Sequence, residues 1–379
     1  MKKLGVLLGV LIWASSAGWA EEIPTITAVM ENGPSSNRIN VVFLSEAYVA
    51  SQRETYFNDV AIATEGLFNF TPFKEYKNYF NVYAIWVASQ DSILAWVDRG
   101  EEPRTYFGHW GGLGSDGEKV EYTIENLLPA ANSIVGVMLK NDDRVTASGS
   151  RKSTFVGSMT VGTGLLHHDP DYTNLQYTRA FVHEFGHAFG DLMDEYSGTL
   201  VLRSGQTERD FPVYGRPLIN ITTETRRDFV KWKHWIDDPA IPIPTPASDV
   251  YANRIGLFEG AFMFDKGWYR PKLDCAMRGA YNADYFGALP PFCEVCREAL
   301  VLEIYRQVDP TAEIDLAVGD TTTVFSINPP QPADHNLKLQ WLVDGQEVVG
   351  HSSPHLQISE TGVGYGRHTV TVTIKDTTE

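Results

Sequence analysis

The stretch HEFGHAFGDLMDEY, residues 183–196, contains the side chains whose types and spacing are best suited to chemistry. His183 and His187 are four residues apart, so on a helix they share one face and can direct two imidazoles at one metal ion. Glu184 lies one step around that helix, where its carboxylate can take a proton from a water molecule. This pattern predicts a site with one catalytic Zn²⁺ ion that activates water for attack on a carbonyl group.

A catalytic zinc ion needs a third protein ligand, and the acids that follow the histidines are the candidates. On a straight helix Asp194 would lie about 10.5 Å beyond His187 along the axis, which is too far for a shared ion. We therefore expect the chain to turn at Gly190, where a left-handed conformation would end the helix and bring Asp194 back. Glu195 is the near alternative for the third ligand, and Glu259 is the distant one.

The segments before this stretch alternate between strand-like and helical patterns, which predicts an α/β (α+β) domain with a helix-covered sheet. Residues 177–190 are predicted to form the helix that carries the histidines, with Thr178 as its N-cap and Gly190 as its end. After about residue 190 the chain is rich in Pro, Gly, Asp and aromatic residues, which indicates a loop-rich lower part. Strands are predicted at residues 38–49, 80–89, 133–141 and 153–163, and further helices at residues 51–68, 120–132, 225–237 and 293–308.

Three parts of the chain are distinguished by composition. Residues 1–20 combine two lysines, an apolar run and small residues at their end, which predicts a signal peptide. The run is too short to span a bilayer comfortably, so we expect an exported periplasmic or extracellular protein without an integral membrane segment. The catalytic domain is predicted at residues 21–310. Residues 311–379 alternate apolar and polar positions, with a turn at Asp344 and Gly345, which predicts an immunoglobulin-like β-sandwich.

The charge of the chain argues against one class of partner. The formal net charge is −17, and loss of Lys2 and Lys3 with the signal peptide leaves −19. Such a charge repels phosphate groups, and no basic stripe interrupts it. We therefore expect no nucleic acid partner.

The three cysteines, Cys275, Cys293 and Cys296, lie close together in the sequence. In an exported chain the simplest expectation is one disulfide, from Cys275 to either of the others, with one thiol left over. Such a bridge would close a loop of about 20 residues and stabilise the fold by about 3 kcal/mol. A structural zinc site is less favoured, because it needs four ligands and no histidine is near these thiols in the sequence.

Several separated motifs, in this order, resemble a known family. They are NRINVVFLSEAY at residues 37–48, FNVYAIWVAS at 80–89, HEFGHAFGDLMDEY, and YRPKLDCAMRG followed by FCEVC. Over roughly residues 36–308 the sequence is similar to the immunoglobulin A peptidase family of secreted zinc metallopeptidases. The resemblance implies a metzincin-like zincin fold with an active-site helix at the floor of a cleft, and endopeptidase activity on protein or peptide substrates.

The resemblance also implies residue roles. His183 and His187 match the histidine ligands of the family. Glu184 matches the general base and Asp194 the acidic ligand. Met277 is similar to the methionine turn that lies beneath the metal in metzincin-like enzymes, although a core methionine would give the same sequence signal.

The chain departs from the metzincins at Met193, where those enzymes have a third histidine and this sequence has its acid one residue later. A hydrogen-bond donor for the oxyanion of the transition state is also needed. Tyr196, Arg278 and Tyr281 are the candidates, and the sequence does not choose between them.

Two further expectations concern the segment just before the helix. We expect an extended substrate to pair with the strand at residues 153–163, as an added strand at the edge of the sheet. His167 and His168 are adjacent and point apart on a strand or a helix, so we interpret them as part of a turn and not as a second metal site.

The leading hypothesis is thus a zinc endopeptidase. The alternative, from another class, is an exported binding or adhesion protein for which the zincin domain is a scaffold. The presence of Glu184 and both histidines favours the enzyme.

Overall fold

The computed structural model describes residues 23–92, 104–108, 117–141, 147–150, 157–163, 170–198, 200–201, 218–278, 290–311, 314–318 and 323–377. The predicted signal peptide, the pair His167 and His168, and Tyr281 lie outside these residues. Within them, every helix is too short or too polar to cross a membrane.

A six-stranded mixed sheet forms the centre of the N-terminal part. Its strands are β1 (Thr25–Met30), β2 (Ile39–Glu46), β3 (Phe80–Trp86), β4 (Ser133–Lys140), β5 (Ala147–Ser150) and β6 (Gly157–Gly162). The order across the sheet is β1-β3-β2-β4-β6-β5. The four inner strands are parallel, and β1 and β5 run antiparallel at the two edges. All residues of β2, β3 and β4 are buried, as expected for parallel strands covered on both faces.

Helices cover both faces of this sheet. They are α1 (Arg53–Phe68), α2 (Gly117–Leu127), α3 (Pro170–Gly190) and α4 (Glu294–Gln307). Val41 belongs to the core shared with α1, α3 and α4, whereas its neighbour Val42 packs in a second core with Val120 and Ile124 of α2. This is the side-to-side alternation of a strand between two helical layers. The predicted α/β arrangement is therefore confirmed.

Strand β1 was not expected from the sequence. None of its six residues is buried, and its sequence TITAVM offers only a short alternation of apolar and other residues. It forms because the open edge of β3 offers backbone partners, with Thr25 opposite Trp86 and Met30 opposite Val82. Pairing with β3 thus complements a pattern that is too short to stand out in the sequence.

The helix predicted at residues 225–237 is wrong. The chain forms two short 3₁₀ turns there, Arg227–Phe229 and Lys233–Trp235. Val230 and Trp232 are both buried, although residues two apart lie on nearly opposite sides of a helix. Their burial in one core requires the extended backbone that Val230 adopts between the turns.

A small sheet belongs to the loop-rich part between α3 and α4. Its strands are β7 (Leu200–Val201), β8 (Phe258–Ala261) and β9 (Phe264–Arg270), in the order β7-β9-β8. Trp268 is fully buried and packs with Leu218, Ile221 and Ala261 in a core of its own. The part after α3 is therefore anchored by a local core despite its loops.

The C-terminal part consists of two three-stranded antiparallel sheets, β10-β11-β14 and β13-β12-β15 in order. Their strands are β10 (Ile314–Val318), β11 (Thr323–Ile327), β12 (Lys338–Val343), β13 (Gln346–Glu347), β14 (His355–Gln357) and β15 (Val370–Lys375). Trp341 and Leu356, from different sheets, share one core. Asp344 and Gly345 both have positive φ, of 51° and 80°, as the predicted hairpin turn requires. The immunoglobulin-like assignment and the boundary near residue 310 stay predictions.

Asp376 links the C-terminal sheets to the N-terminal part. Its carboxylate accepts hydrogen bonds from the hydroxyl groups of Tyr76 and Tyr305, the latter at 2.6 Å. His335 Nε2 lies 2.8 Å from its other oxygen. One half-buried charge thus receives donors from both parts of the chain.

We expect Asp376→Ala to lower the free energy of unfolding by about 1–3 kcal/mol, because it leaves buried hydroxyl donors without their charged acceptor. Chemical denaturation measures the change. Asp315→Ala, at an exposed position of β10, is the matched control and should change stability by less than about 0.5 kcal/mol. Equal effects of the two substitutions would contradict a linking role for Asp376.

Candidate active site

Helix α3 carries the histidines predicted to bind a metal. It begins at Pro170, so Thr178 lies inside the helix and the predicted N-cap is wrong. His183 is 1% exposed and His187 is half-buried. Their rings are 4.7 Å apart between centroids and nearly perpendicular, and the two Nε2 atoms are 3.1 Å apart. One helical turn therefore aims both Nε2 atoms at one point.

The chain reverses direction directly after α3. The left-handed residue of this turn is Asp191, with φ of 55°, and not Gly190 as expected. Gly190 instead lies against the Leu300 side chain, where an added Cβ would be 2.5 Å from Leu300 Cδ2. Leu192 donates its N–H to the Gly186 carbonyl at 3.2 Å, which holds the reversal. The expected turn is present, but a neighbouring residue supplies its conformation.

This reversal brings Asp194 onto the histidine pair. Asp194 Oδ1 lies 3.1 Å from His183 Nε2 and 3.2 Å from His187 Nε2. The three donor atoms therefore form a nearly equilateral triangle with sides of 3.1–3.2 Å. Ligands at usual zinc distances in a tetrahedral site lie about 3.3–3.5 Å from one another. The triangle matches one face of such a site, so the three residues fit a metal of this type.

Backbone carbonyl groups set the orientation of both imidazole rings. His183 Nδ1 lies 3.0 Å from the Ala276 carbonyl and His187 Nδ1 lies 2.5 Å from the Leu192 carbonyl. A carbonyl accepts from Nδ1–H, which leaves the Nε2 lone pair free for a metal. The tautomer that a metal requires is thus set by the surrounding backbone.

His183, His187 and Asp194 are called the triad below. The pKa values of His187 and Asp194 follow from the close packing of these three residues. Burial lowers the pKa of His187, but Asp194 and, to a smaller extent, Glu184 raise it above its ordinary value. Burial raises the pKa of Asp194, but its close contacts with the two histidines hold it well below its ordinary value. The Asp194 side chain is therefore a carboxylate at neutral pH.

Met277 lies directly beneath α3. It is fully buried, and its Sδ is so close to Gly186 that an added Cβ there would be 2.7 Å away. The Met277 carbonyl accepts the Glu195 N–H at 2.8 Å, and Ala276 next to it holds His183. The segment that resembles a methionine turn thus contacts both the helix and the turn that carries Asp194.

Asn220, which belongs to no motif of the sequence, holds the same turn from the other side. Its side chain accepts from the Met193 N–H and donates to the Met193 carbonyl, both at 2.8 Å. It also donates to Glu195 Oε1 at 2.9 Å. In the sequence, an asparagine that holds a turn through its side chain looks the same as any other loop asparagine. Only the structure shows the role of Asn220.

Glu184 and Tyr196 lie beside the triad. Glu184 is 5% exposed, and its charge contributes to the raised pKa of His187. The Tyr196 ring stacks on His183 at 6.4 Å between centroids. Burial raises the pKa of Tyr196, and Asp194 and Glu184 raise it further, so its hydroxyl stays protonated at neutral pH.

The other candidates lie elsewhere. Glu195 is fully buried among cysteines, with Oε1 3.1 Å from Cys296 Sγ. Glu259 accepts hydrogen bonds from Lys266 and from the Gly267 backbone on the β8-β9 hairpin. Arg278 donates to a backbone carbonyl. Of the three acids weighed as third ligand, the structure brings Asp194 to the histidines.

Strand β6 is not the edge of the sheet, so the predicted site of substrate pairing is wrong. β5 pairs antiparallel with β6 and occupies the edge. It lies against α3, since an added Cβ on Gly149 would be 2.2 Å from the Glu184 carbonyl oxygen. Among the described strands, the edge strand next to the triad is therefore β5, a four-residue strand with too little pattern to predict.

The expected disulfide is absent among the described cysteines. Cys275, Cys293 and Cys296 are all buried free thiols. The Sγ atoms of Cys275 and Cys296 are 3.8 Å apart. They gather with Glu195 beneath the triad.

Comparison with known proteins identifies the family. The family model of the IgA peptidase M64 family matches residues 27–254, which is more than half of the chain. The match includes the sheet, α3 and the turn that carries Asp194, and it ends before Met277 and the cysteines. A search of curated proteins finds no match. The chain belongs to the IgA peptidase M64 family, and it is therefore a metallopeptidase that acts on protein substrates.

Proposed function

We propose that this metallopeptidase is an exported zinc-dependent endopeptidase, with Glu184 as its general base. The observation that carries the proposal is the triangle of His183 Nε2, His187 Nε2 and Asp194 Oδ1, with sides of 3.1–3.2 Å. Three protein ligands leave one position open, which is typical of catalytic and not of structural zinc sites. Two imidazoles and a carboxylate also suit zinc better than calcium or magnesium, which prefer oxygen ligands.

The zinc ion, when bound, would lower the pKa of a water molecule and polarise the carbonyl of the scissile bond. Glu184 is the residue that would accept the proton of that water on its carboxylate. It would then pass this proton to the nitrogen of the leaving amine. Its place on α3, one residue from a ligand and near His187, supports this role.

Tyr196 is the best candidate for the oxyanion donor. Its ring stacks on the ligand His183, and its raised pKa keeps the proton available. Of the two alternatives, Arg278 donates to a backbone carbonyl and Tyr281 lies outside the described residues. As the carbonyl oxygen gains charge, the Tyr196 hydroxyl would donate to it.

The substrate would bind as an extended chain along β5. This strand is the sheet edge nearest Glu184, and an edge strand offers backbone groups for strand addition. The chemistry of peptide backbone recognition is common to all proteins, so the family name does not imply that immunoglobulin is the substrate.

Export follows from the signal-peptide pattern of residues 1–20. It would place the enzyme in the periplasm or outside the cell, and cell fractionation tests this. Protein found only in the cytoplasm with residues 1–20 intact would contradict it.

We expect Glu184→Gln to lower kcat by at least about 10²–10⁴-fold, because the amide cannot accept the proton. Wild type and variant should be compared on a proteome-derived peptide library, with metal content measured for both. Glu125→Gln, at an exposed position of α2, is the matched control and should retain full activity.

Internal cleavage by the wild type alone, with equal metal in both proteins, supports an endopeptidase. If neither protein cleaves any peptide although both carry the metal, the alternative of a binding or adhesion protein on a zincin scaffold replaces the enzyme.

Tyr196→Phe should lower kcat by about 10²–10³-fold with little change in KM, because the hydroxyl acts on charge that develops in the transition state. Steady-state kinetics on a peptide from the library measures both constants. Tyr122→Phe, at a side chain that is 64% exposed, is the control. A change in KM alone would assign Tyr196 to substrate binding.

Methylation of single backbone nitrogens in a good peptide substrate should raise KM at alternate positions, because an added strand forms its ladder through every second residue. The comparison uses a series of peptides that differ only in the methylated nitrogen. Equal KM values across the series would exclude pairing with β5.

A further inference from the structure

Beneath the histidine site lies a second cluster of metal-binding side chains. Glu195, Cys275, Cys293 and Cys296 each place a potential ligand atom within 4.8 Å of the others. All four side chains are at most 2% exposed. Two belong to the segments that form the active site, since Glu195 follows Asp194 and Cys275 precedes Ala276.

We propose that these four residues bind a structural zinc ion, distinct from the ion of the histidine site. Three thiolates and one carboxylate complete a four-coordinate set made only of protein ligands. Such a set leaves no position for water or substrate, and its burial denies access to both. The ion would therefore hold the fold and take no part in catalysis.

The spacing of the sulfur atoms supports a metal. Cys275 Sγ and Cys296 Sγ are 3.8 Å apart. Two thiolates at about 2.3 Å from one zinc ion in a tetrahedral site lie about 3.8 Å apart, whereas a disulfide requires about 2.05 Å. The observed distance equals the edge of a zinc tetrahedron.

Glu195 provides the ligand that the cysteines lack. Its Oε1 lies 3.1 Å from Cys296 Sγ and accepts from Asn220. Its Oε2 is buried and has no hydrogen-bond partner among the described residues. A buried carboxylate oxygen without a partner is costly, and coordination to a metal ion would satisfy it.

Two features of the surroundings offset negative charge on the ligands. Cys293 is the N-cap of α4, and its backbone N–H donates to Cys275 Sγ at 3.3 Å. Arg270 is 4% exposed and lies close enough to Glu195 and Cys275 for their charges to act on its pKa. A helix N-terminus and a buried guanidinium thus offset part of the charge that three thiolates and a carboxylate would carry.

The ion would join three segments that are distant in sequence. These are the turn after Asp194, the Met277 segment and the start of α4. The turn that carries Glu195 also carries Asp194, a ligand of the histidine site. The Met277 segment provides the Ala276 carbonyl that orients His183. Loss of the ion would therefore loosen the catalytic site without removing any of its ligands.

The test measures metal and thiols on the full chain, purified without chelator and supplied with zinc. We expect two zinc ions per chain, and three titratable thiols after denaturation with chelator and without reductant. One zinc ion and one thiol would show a disulfide with a single free cysteine and overturn the proposal. One zinc ion and three thiols would also overturn it, because the cysteines would then be buried without a metal.

Two variants assign the ions to their sites. His183→Ala with His187→Ala should lose one zinc ion and keep the other, and Glu195→Gln with Cys293→Ser should do the same at the second site. Glu259→Gln, at an exposed acid, is the control and should keep both. Failure of the histidine variant to lose an ion would contradict the proposed catalytic zinc site, whereas failure of the second variant contradicts only the present inference.

A measurement on the wild type covers the case in which the cysteine variant does not fold. Replacement of zinc by Co²⁺ should produce a thiolate-to-cobalt charge-transfer absorption, which the histidine and carboxylate ligands of the other site cannot produce. Absence of this absorption in protein with two bound cobalt ions would overturn the proposal.

Discussion

The reversal of the chain after α3 is the constraint on which the site depends. A helix can align His183 and His187 but cannot supply a third ligand, because every later residue moves away along the axis. Asp191 takes the left-handed conformation that ends this progression, and Leu192 returns its N–H to the helix. The same Leu192 offers its carbonyl to His187 Nδ1. One turn therefore delivers the acid and orients a histidine.

The turn is held by segments that lie far from it in sequence. Asn220 holds Met193 and Glu195 through its side chain, and the Met277 carbonyl accepts the Glu195 N–H. These contacts come from the loop-rich part, which has few helices but several bonds to the floor of the site. The loop-rich part thus supports the turn that carries Asp194.

The sheet positions α3, and its last strand lies beside the active site. Parallel strands β2, β4 and β6 build a rigid platform whose apolar face packs against α1 and α3. The antiparallel strand β5 closes that platform next to Glu184. A strand edge that can pair with an extended peptide thus lies beside Glu184, the residue proposed to accept the proton of water.

The sequence by itself determined the α/β alternation, the buried strands, the hairpin turn at Asp344, the family, and the helix with its HExxH spacing. These features depend on periods and spacings of a few residues, which a single chain displays directly. Only the tertiary structure decided that Glu195 turns away from the histidines, that β5 covers β6, and that Asn220 clamps the turn. It also decided that the three cysteines remain thiols around Glu195. Each of these depends on contacts between segments whose separation in the sequence carries no signal, because burial and partner choice arise only when the segments pack together.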